Sequence, residues 1–396
     1  MKYLILVGDG MGDRPLVQLG GRTVLEIAYT PHMDRLAQEG LLGLAQTVPA
    51  DKDPGSDVAN MSLMGFDPAS FHTGRSPIEA AAMGVELAKG QIAFRCNLVT
   101  LEYGNGAMVM QNYAAGHITT PEAVQLIVAL DETLGGAGLK FHQGLSYRHL
   151  LVWDEGPLTV ASVPPHDRSG QAVDDVLAKH GELGRLTALT RASWPVLAQH
   201  PVNLARRAAG RPEANSIWLW GQGTRPAFSS LSERFGLHGV VISAVDLVKG
   251  LGKLSGLQVV EVPGATGFLD TNYAGKVAAA LAGLQQGNLA YVHVEAPDEA
   301  GHGGVLSDKI KAVEDFDAQV VGPLLQGLAD LGGHRVLLAT DHYTPISVMT
   351  HTREPVPFVI WDSRRRLAGG KAYNEAAAAG RPVCPAHELI GVLVED

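Results

Sequence analysis

Three β-like runs, Tyr3–Val7, Leu289–Val294 and Arg335–Ala339, each stop at a short island of polar chemistry, and this feature most constrains the fold. The islands that follow them read GDGMGD (Gly8 to Asp13), APDEAGH (Ala296 to His302) and TDH (Thr340 to His342). Runs so distant in the chain, each with Asp or His at its end, point to distant parts of one sheet. In open α/β sheets, ligands gather in the crevice outside the carboxyl ends of the strands. PGSDVANMS (Pro54 to Ser62) and THT (Thr350 to Thr352) add a hydroxyl and another imidazole. Carboxylates and imidazoles converging on one crevice repel one another unless cations lie between them. A metal site assembled from distant parts of one sheet is therefore expected.

Strand and helix patterns alternate along much of the chain, which implies an α/β fold with a mainly parallel sheet flanked by helices. Tyr3–Val7 is apolar without interruption, as expected of a strand buried on both faces. Thr30-Pro31 opens a helix whose apolar Met33, Leu36 and Ala37 recur at helical spacing, closing at Gly40. A similar period runs from Ile310 to Val321, and Val356–Trp361 reads as another strand. The 396 residues exceed what one core usually organises, so two domains are expected. From Gln91 the chain turns to short β-like runs (Phe94–Leu101, Met108–Met110, Tyr147–Trp153) and a helix after Thr120-Pro121. The run from Arg206 to Pro212 reads as an exposed connection, and Ser216–Leu219 resumes a buried strand. This stretch interrupts the metal-type residues. Residues 91–212 are thus expected to form a smaller α+β domain inserted into a core made of 1–90 and 213–396.

Each island has a plainer reading beside the functional one. Gly8-Asp9-Gly10-Met11-Gly12 is GxGxG and not GxGxxG, and Asp9 would face a pyrophosphate with like charge, so a dinucleotide site is disfavoured. Asp9 fits a metal ligand at a strand end, although Asp-Gly is also common turn chemistry. Ser56 stands in a tight turn before a helix-like run, where a serine can simply cap the helix. The same geometry sets a hydroxyl among backbone N–H groups suited to phosphate, and a metal-bound hydroxyl can ionise to a nucleophile. Ser62 qualifies by type, and position in the turn favours Ser56. Asp298 and His302 are four apart and can close on one cation. Asp341 and His342 are adjacent, so their side chains diverge and can serve two neighbouring ions. With His351, the set is Asp9, Ser56, Asp298, His302, Asp341, His342 and His351. Such N- and O-donors suit two transition-type divalent ions, Zn or Mn more than Ca, with no organic cofactor.

Composition closes off other classes. The formal charge of −10 argues against a nucleic-acid binder but leaves room for a small phosphorylated substrate, because metals and a few arginines reverse the local field. Apolar runs fall far short of a membrane span, and the first residues lack the pattern of a secretory signal. Cys96 and Cys384 are too few for a disulfide framework and read as reduced thiols of a cytoplasmic protein.

GDGMGD, GSDVANMSLMG, TGRSPIEAAAMG, AFRCNLVT, APDEAGH and TDHYTPISVMTHTREPVPF together resemble the cofactor-independent phosphoglycerate mutases of the archaeal type, in the alkaline phosphatase superfamily. The resemblance spans nearly the whole chain. It implies an alkaline-phosphatase-like core and a glycolytic isomerase that interconverts 3- and 2-phosphoglycerate. It further implies that Asp298, His302 and His351 bind one ion, that Asp9, Ser56, Asp341 and His342 bind the other, and that Ser56 carries the phosphoryl group. His117, in AAGHIT, and Arg75, Arg95, Arg148 and Arg168 are the candidate substrate contacts. A mutase, unlike a phosphatase, must keep glycerate and exclude water, a task expected of the inserted domain as a lid. GLSYRHLLVW and NSIWLWGQG resemble a branch of proposed homoserine kinases. The chain has no GxxxxGK[ST] loop, so the alternative is an ATP-using enzyme on the same metal-bound serine.

Overall fold

In the computed structural model, which describes residues 1–104, 106–177, 181–367, 369 and 371–395, the first apolar run becomes β1 (Lys2–Gly8). Leu4, Ile5, Leu6 and Val7 are fully buried, so the strand is covered on both faces. β2 (Leu41–Gln46), β3 (Gln91–Gly104), β4 (Ala107–Asn112), β5 (Leu139–Leu145), β6 (Arg148–Asp154) and β7 (Ser216–Thr224) follow. The later strands are β8 (Gly239–Ile242), β9 (Gln258–Val259), β10 (Leu289–Val294), β11 (His334–Ala339), β12 (Val356–Asp362) and β13 (Val383–Pro385).

The chain divides into two compact units, Met1–His72 with Ala227–Asp396, and Thr73–Pro226. The first carries an eight-stranded sheet in the order β13-β2-β12-β11-β1-β10-β8-β9. β12 pairs antiparallel with both β11 and β2, while the other pairings are parallel. The expected α/β class with a mainly parallel sheet is what forms. β10, β1 and β11 lie side by side in register, Gly8 beside Val294 and Val7 beside Ala339, so their carboxyl ends are level.

Helices cover this sheet where the periodicity asks for them. The Pro31–Glu39 helix buries Met33, Leu36 and Ala37 against the core and ends before Gly40. Thr30 makes no side-chain cap, and the job falls to Asp317, whose carboxylate accepts from the N–H groups of Met33 (2.7 Å) and His32 (3.2 Å). The run from Ile310 departs from a plain helix: Leu306–Phe316 widens into a π-helical stretch at Asp317–Val321 before Gly322–Leu328 resumes. Asp317, buried and tied to the neighbouring helix, sits where the widening begins.

The second unit is an antiparallel sheet, β4-β3-β6-β5, with β7 also on β3. Its edges correct the sequence expectation of 91–212. β7 pairs with β3 (Leu98 beside Ile217) and so belongs here, not in the first sheet. The Arg75–Ala82 helix belongs here too: Ser76 Oγ donates to the Gly221 carbonyl (2.6 Å) and accepts from the Arg95 N–H (2.7 Å). The expected connection is exposed from Arg207 to Pro212, with one exception. Its first residue, Arg206, lies in the last turn of the Pro201–Ala208 helix and is 2% exposed, bonded to Glu122 (2.9 Å) and to the carbonyls of Pro212 and Ala115. Among the described residues no helix is long and apolar enough to cross a membrane. Both cysteines are free thiols.

Candidate active site

The level ends of β1, β10 and β11 deliver three of the islands directly. Asp9 follows β1 and Asp341 with His342 follows β11. After β10 the chain turns at once into the Ala296–Gly303 helix, with Pro297 in its first turn, so Asp298 and His302 project from one face. The loop after β11 brings His351. Ser56 is the first residue of the Ser56–Leu63 helix, where Gly55 holds the cap position, so capping is not its role. Ser62 faces inward and donates to the Thr47 carbonyl (2.7 Å), which leaves Ser56 as the available hydroxyl.

The seven expected ligands converge. His302 Nε2 lies 3.2 Å from Asp298 Oδ2 and 2.9 Å from His351 Nε2, and His351 Nε2 lies 3.4 Å from Asp298 Oδ1. His342 Nε2 stands 3.5 Å from both Asp9 Oδ1 and Asp341 Oδ2, and 3.2 Å from Ser56 Oγ. Its ring also lies 4.0 Å, centroid to centroid, from that of His351. Among the described residues two groups of donor atoms have the compactness a cation requires: Asp298, His342 and His351, and Asp9, His293 and Asp341, each within 4.8 Å. His342 thus reaches toward both groups, in keeping with a residue pair whose side chains diverge.

The electrostatics argue for cations. Burial, then the charges of Asp341, Asp298 and Glu295, push the Asp9 carboxyl well above its usual range. Burial and the neighbouring Glu299 and Asp298 raise Glu295 to about 7. Burial also raises Asp298, but hydrogen bonds from His302 and His351 outweigh it and hold this carboxyl low. Burial lowers the imidazoles of His342 and His293, the latter to about 4, which favours the neutral form. Asp9 Oδ1 and His293 Nε2 are buried without a hydrogen-bond partner. Buried polar atoms are normally satisfied, and a set of neutral imidazoles, carboxylates and unused lone pairs fits divalent cations.

Several residues were missed. His293 sits inside the apolar run of β10, where a lone imidazole was passed over as part of a strand; its burial amid Val and Leu was the available signal. Tyr291, two residues earlier on the same face, donates to Asn60 Oδ1 (2.7 Å), and Asn60 Nδ2 donates to Asp341 Oδ2 (2.8 Å). Asp341 Oδ1 accepts from the Gly10 N–H (3.0 Å). Gly10 has φ +59°, and a Cβ there would meet Asp298 Oδ1 at 2.5 Å, so GDGMGD needs its central glycine for the site and not for a dinucleotide. Thr344 donates to Asp298 and lies 3.3 Å from His342 Nδ1. Lys309, fully buried, ties the Gly12 carbonyl and Asp13 (both 3.0 Å) to the Thr344 carbonyl (2.7 Å). Nothing in its spacing set Lys309 apart from a surface lysine. A cavity of about 430 Å³ opens beside His351, lined by Arg14, Pro54, Thr352, Arg353 and Glu354.

The remaining candidates all lie in the second unit. Arg95 is buried, bonded to Glu79 (2.7 Å) and stacked 4.6 Å from the Trp220 ring; burial lowers it to about 10. Arg75 binds Glu79 as well (3.1 Å). Arg148 lies over Tyr147 (5.6 Å), and its charge reaches Arg95. His117, at φ +50°, packs edge-on against Tyr113 and Tyr147. His166, absent from the sequence expectation, packs on Tyr113 and Trp220 and feels both Arg75 and Arg95. Arg168 pairs with Asp175 (2.9 Å).

The chain is similar to known proteins along its length. Residues 37–203 match the family model of 2,3-bisphosphoglycerate-independent phosphoglycerate mutase. A probable mutase of that name from Geobacter sulfurreducens is 50% identical, covering 100% of this chain and 97% of its own. The Methanosarcina acetivorans mutase is 49% identical over the whole of both chains. Among solved structures, a Pyrococcus horikoshii protein superposes with TM-score 0.81 at 28% identity, over 99% of this chain and 96% of its own. The cofactor-independent phosphoglycerate mutase of Thermoplasma acidophilum superposes with TM-score 0.69 at 25% identity, over 99% of both chains. None of these relatives bears a kinase's name, and the homoserine kinase alternative has no support. Full-length identity at this level, on a chain whose distant islands meet at one sheet end, makes it a member of the 2,3-bisphosphoglycerate-independent phosphoglycerate mutase family.

Proposed function

We propose that the chain interconverts 3-phosphoglycerate and 2-phosphoglycerate through a phosphoserine at Ser56, with two divalent ions of the Mn or Zn type. The observation that carries this reading is Ser56 Oγ at the head of its helix, 3.2 Å from His342 Nε2. Asp9, Asp341, Asp298, His302, His342 and His351 would hold the ions together with Ser56. Bound there, the ions supply positive charge to the phosphoryl oxygens and favour the ionised serine. Ser56 Oγ attacks phosphorus in line, the glycerate oxygen leaves, and the same phosphoryl group returns to the other glycerate hydroxyl. The helix N-terminus adds backbone N–H groups to the phosphoryl oxygens throughout. Arg75, Arg95 and Arg148, with His117, are proposed to grip the carboxylate or phosphate, since guanidinium groups match either in a bidentate fork.

The test is turnover by the metal-loaded protein, with 3-phosphoglycerate and no 2,3-bisphosphoglycerate. Formation of 2-phosphoglycerate, with no release of inorganic phosphate at a comparable rate, is expected. Net hydrolysis, or no product, contradicts the reading.

A further inference from the structure

We infer that His293 Nε2 is a ligand of the ion held by Asp9 and Asp341, so that an imidazole from within β10 completes this position. The inference rests on the two-ion reading and adds to it a residue outside the expected set. His293 is fully buried, one position before the end of β10, and pairs in register with Val7 of β1, two residues before Asp9. Its Nε2 lies 3.1 Å from Asp9 Oδ2. At that distance a hydrogen bond would be the simplest outcome, yet Nε2 has no hydrogen-bond partner, and neither has Asp9 Oδ1. The ring nitrogen is therefore not aimed at the carboxylate. Ligands of one cation behave this way, because each points at a shared centre about 2.0–2.2 Å off and not at its neighbour. The donor atoms of Asp9, His293 and Asp341 all lie within 4.8 Å of one another, the spread a single ion spans.

The far side of the ring fits as well. Nδ1 lies 3.2 Å from Ser243 Oγ, which also accepts from the Val245 N–H (2.9 Å). A proton on Nδ1, donated to that hydroxyl, leaves the Nε2 lone pair for metal; outer partners of this kind fix the tautomer of ligating histidines. A purely structural imidazole would need a partner for Nε2 within the protein. It has none.

The experiment titrates chelated protein with Mn²⁺, counting free ion by electron paramagnetic resonance, for wild type, His293→Ala and Ser243→Ala. Two sites per wild-type chain are expected. Outer-shell losses cost about 10–100-fold in metal affinity, so His293→Ala is expected to weaken one site by ~100-fold or more and Ser243→Ala by ~10-fold. The other site should hold within about twofold. His293→Ala also removes a buried ring and its bond to Ser243, so each chelated variant is first shown by circular dichroism and urea unfolding to be folded. Two sites of wild-type affinity in His293→Ala overturn the inference but leave the two-ion reading standing, whereas a wild type that binds no ion overturns both. Should the variant not fold, ¹⁵N-histidine-labelled wild type loaded with ¹¹³Cd gives the answer directly. One-bond coupling to His293 Nε2 is expected, and two bound Cd ions without that coupling refute it.

Discussion

The second unit and the crevice of the first handle buried charge in opposite ways. In the second, guanidinium and carboxylate groups satisfy each other: Arg95 and Arg75 share Glu79, and Arg206 and Arg211 share Glu122. Burial alone would raise Glu122, but Thr119 and the two arginines outweigh it and hold it low. In that crevice Asp9, Glu295, Asp298 and Asp341 crowd together, while Lys276 spends its ammonium on the His293 carbonyl (3.0 Å) and Lys309 on Asp13 and two carbonyls. Self-paired charge is architecture. Charge left repelling its neighbours, with unpartnered atoms beside it, is a site awaiting a ligand of opposite sign.

Metal removal should break this contrast most severely. Chelation is expected to abolish turnover and to cost the first unit about 2.7 kcal/mol for each ion that had been present at a hundredfold over its Kd. Hydrogen exchange should quicken at the carboxyl ends of β1, β10 and β11 and stay unchanged in β3, β6 and β7. Equal loosening of both units, or turnover that survives chelation verified by elemental analysis, counts against the account.

Next in size is Ser56→Ala, expected to lower kcat by roughly 10⁴-fold or more, as loss of a covalent nucleophile does. Stability should shift by only a few tenths of a kcal/mol, because Gly55 and not Ser56 caps the helix. Residual activity above a percent of wild type would place the phosphoryl acceptor elsewhere.

The second unit has its own exception, and acid should expose it. His149 is buried with Nε2 unpartnered and Nδ1 accepting from the Gly144 N–H (3.0 Å), and burial lowers it to about 3. Its unfolded value is near 6.5, so the unfolded chain binds the extra proton first. The contribution of neutral His149 is thus full above pH 6.5 and is lost as pH falls toward 3, by about 2 kcal/mol at pH 5. Urea midpoints at pH 7 and pH 5 should differ less in His149→Gln than in wild type. Identical differences would mean that another group governs acid sensitivity.

The smallest expected effect is in the arginine cluster. Arg148 is exposed and packs on Tyr147, so Arg148→Ala should leave stability within about 0.5 kcal/mol. KM for 3-phosphoglycerate should rise roughly tenfold with kcat little changed, as when uniform binding is removed. An unchanged KM removes Arg148 from the substrate contacts.

Much of the first unit was legible because its signals are local. An apolar run followed by Asp or His needs no partner to be noticed, and β1, β10 and β11 were read this way. What escaped depends on distant neighbours. β7 reads as a core strand on its own and is assigned to the second unit only by pairing with β3. Arg206 looks like a surface cation until Glu122 and two carbonyls enclose it. His293 was hidden by the strand that made it useful, since an imidazole within Leu289–Val294 reads as one polar lapse among apolar residues. Lys309 and Asn60 act through other side chains, and that role leaves no trace in spacing.

The central claim, that Ser56 at the head of its helix takes and returns the phosphoryl group, is tested most directly by trapping it. Metal-loaded protein is mixed with 3-phosphoglycerate, quenched in acid within the first turnovers and mapped by mass spectrometry. The account expects phosphate on Ser56 and none in chelated protein. Phosphate on another residue, or steady turnover with Ser56 unmodified at every quench time, contradicts it.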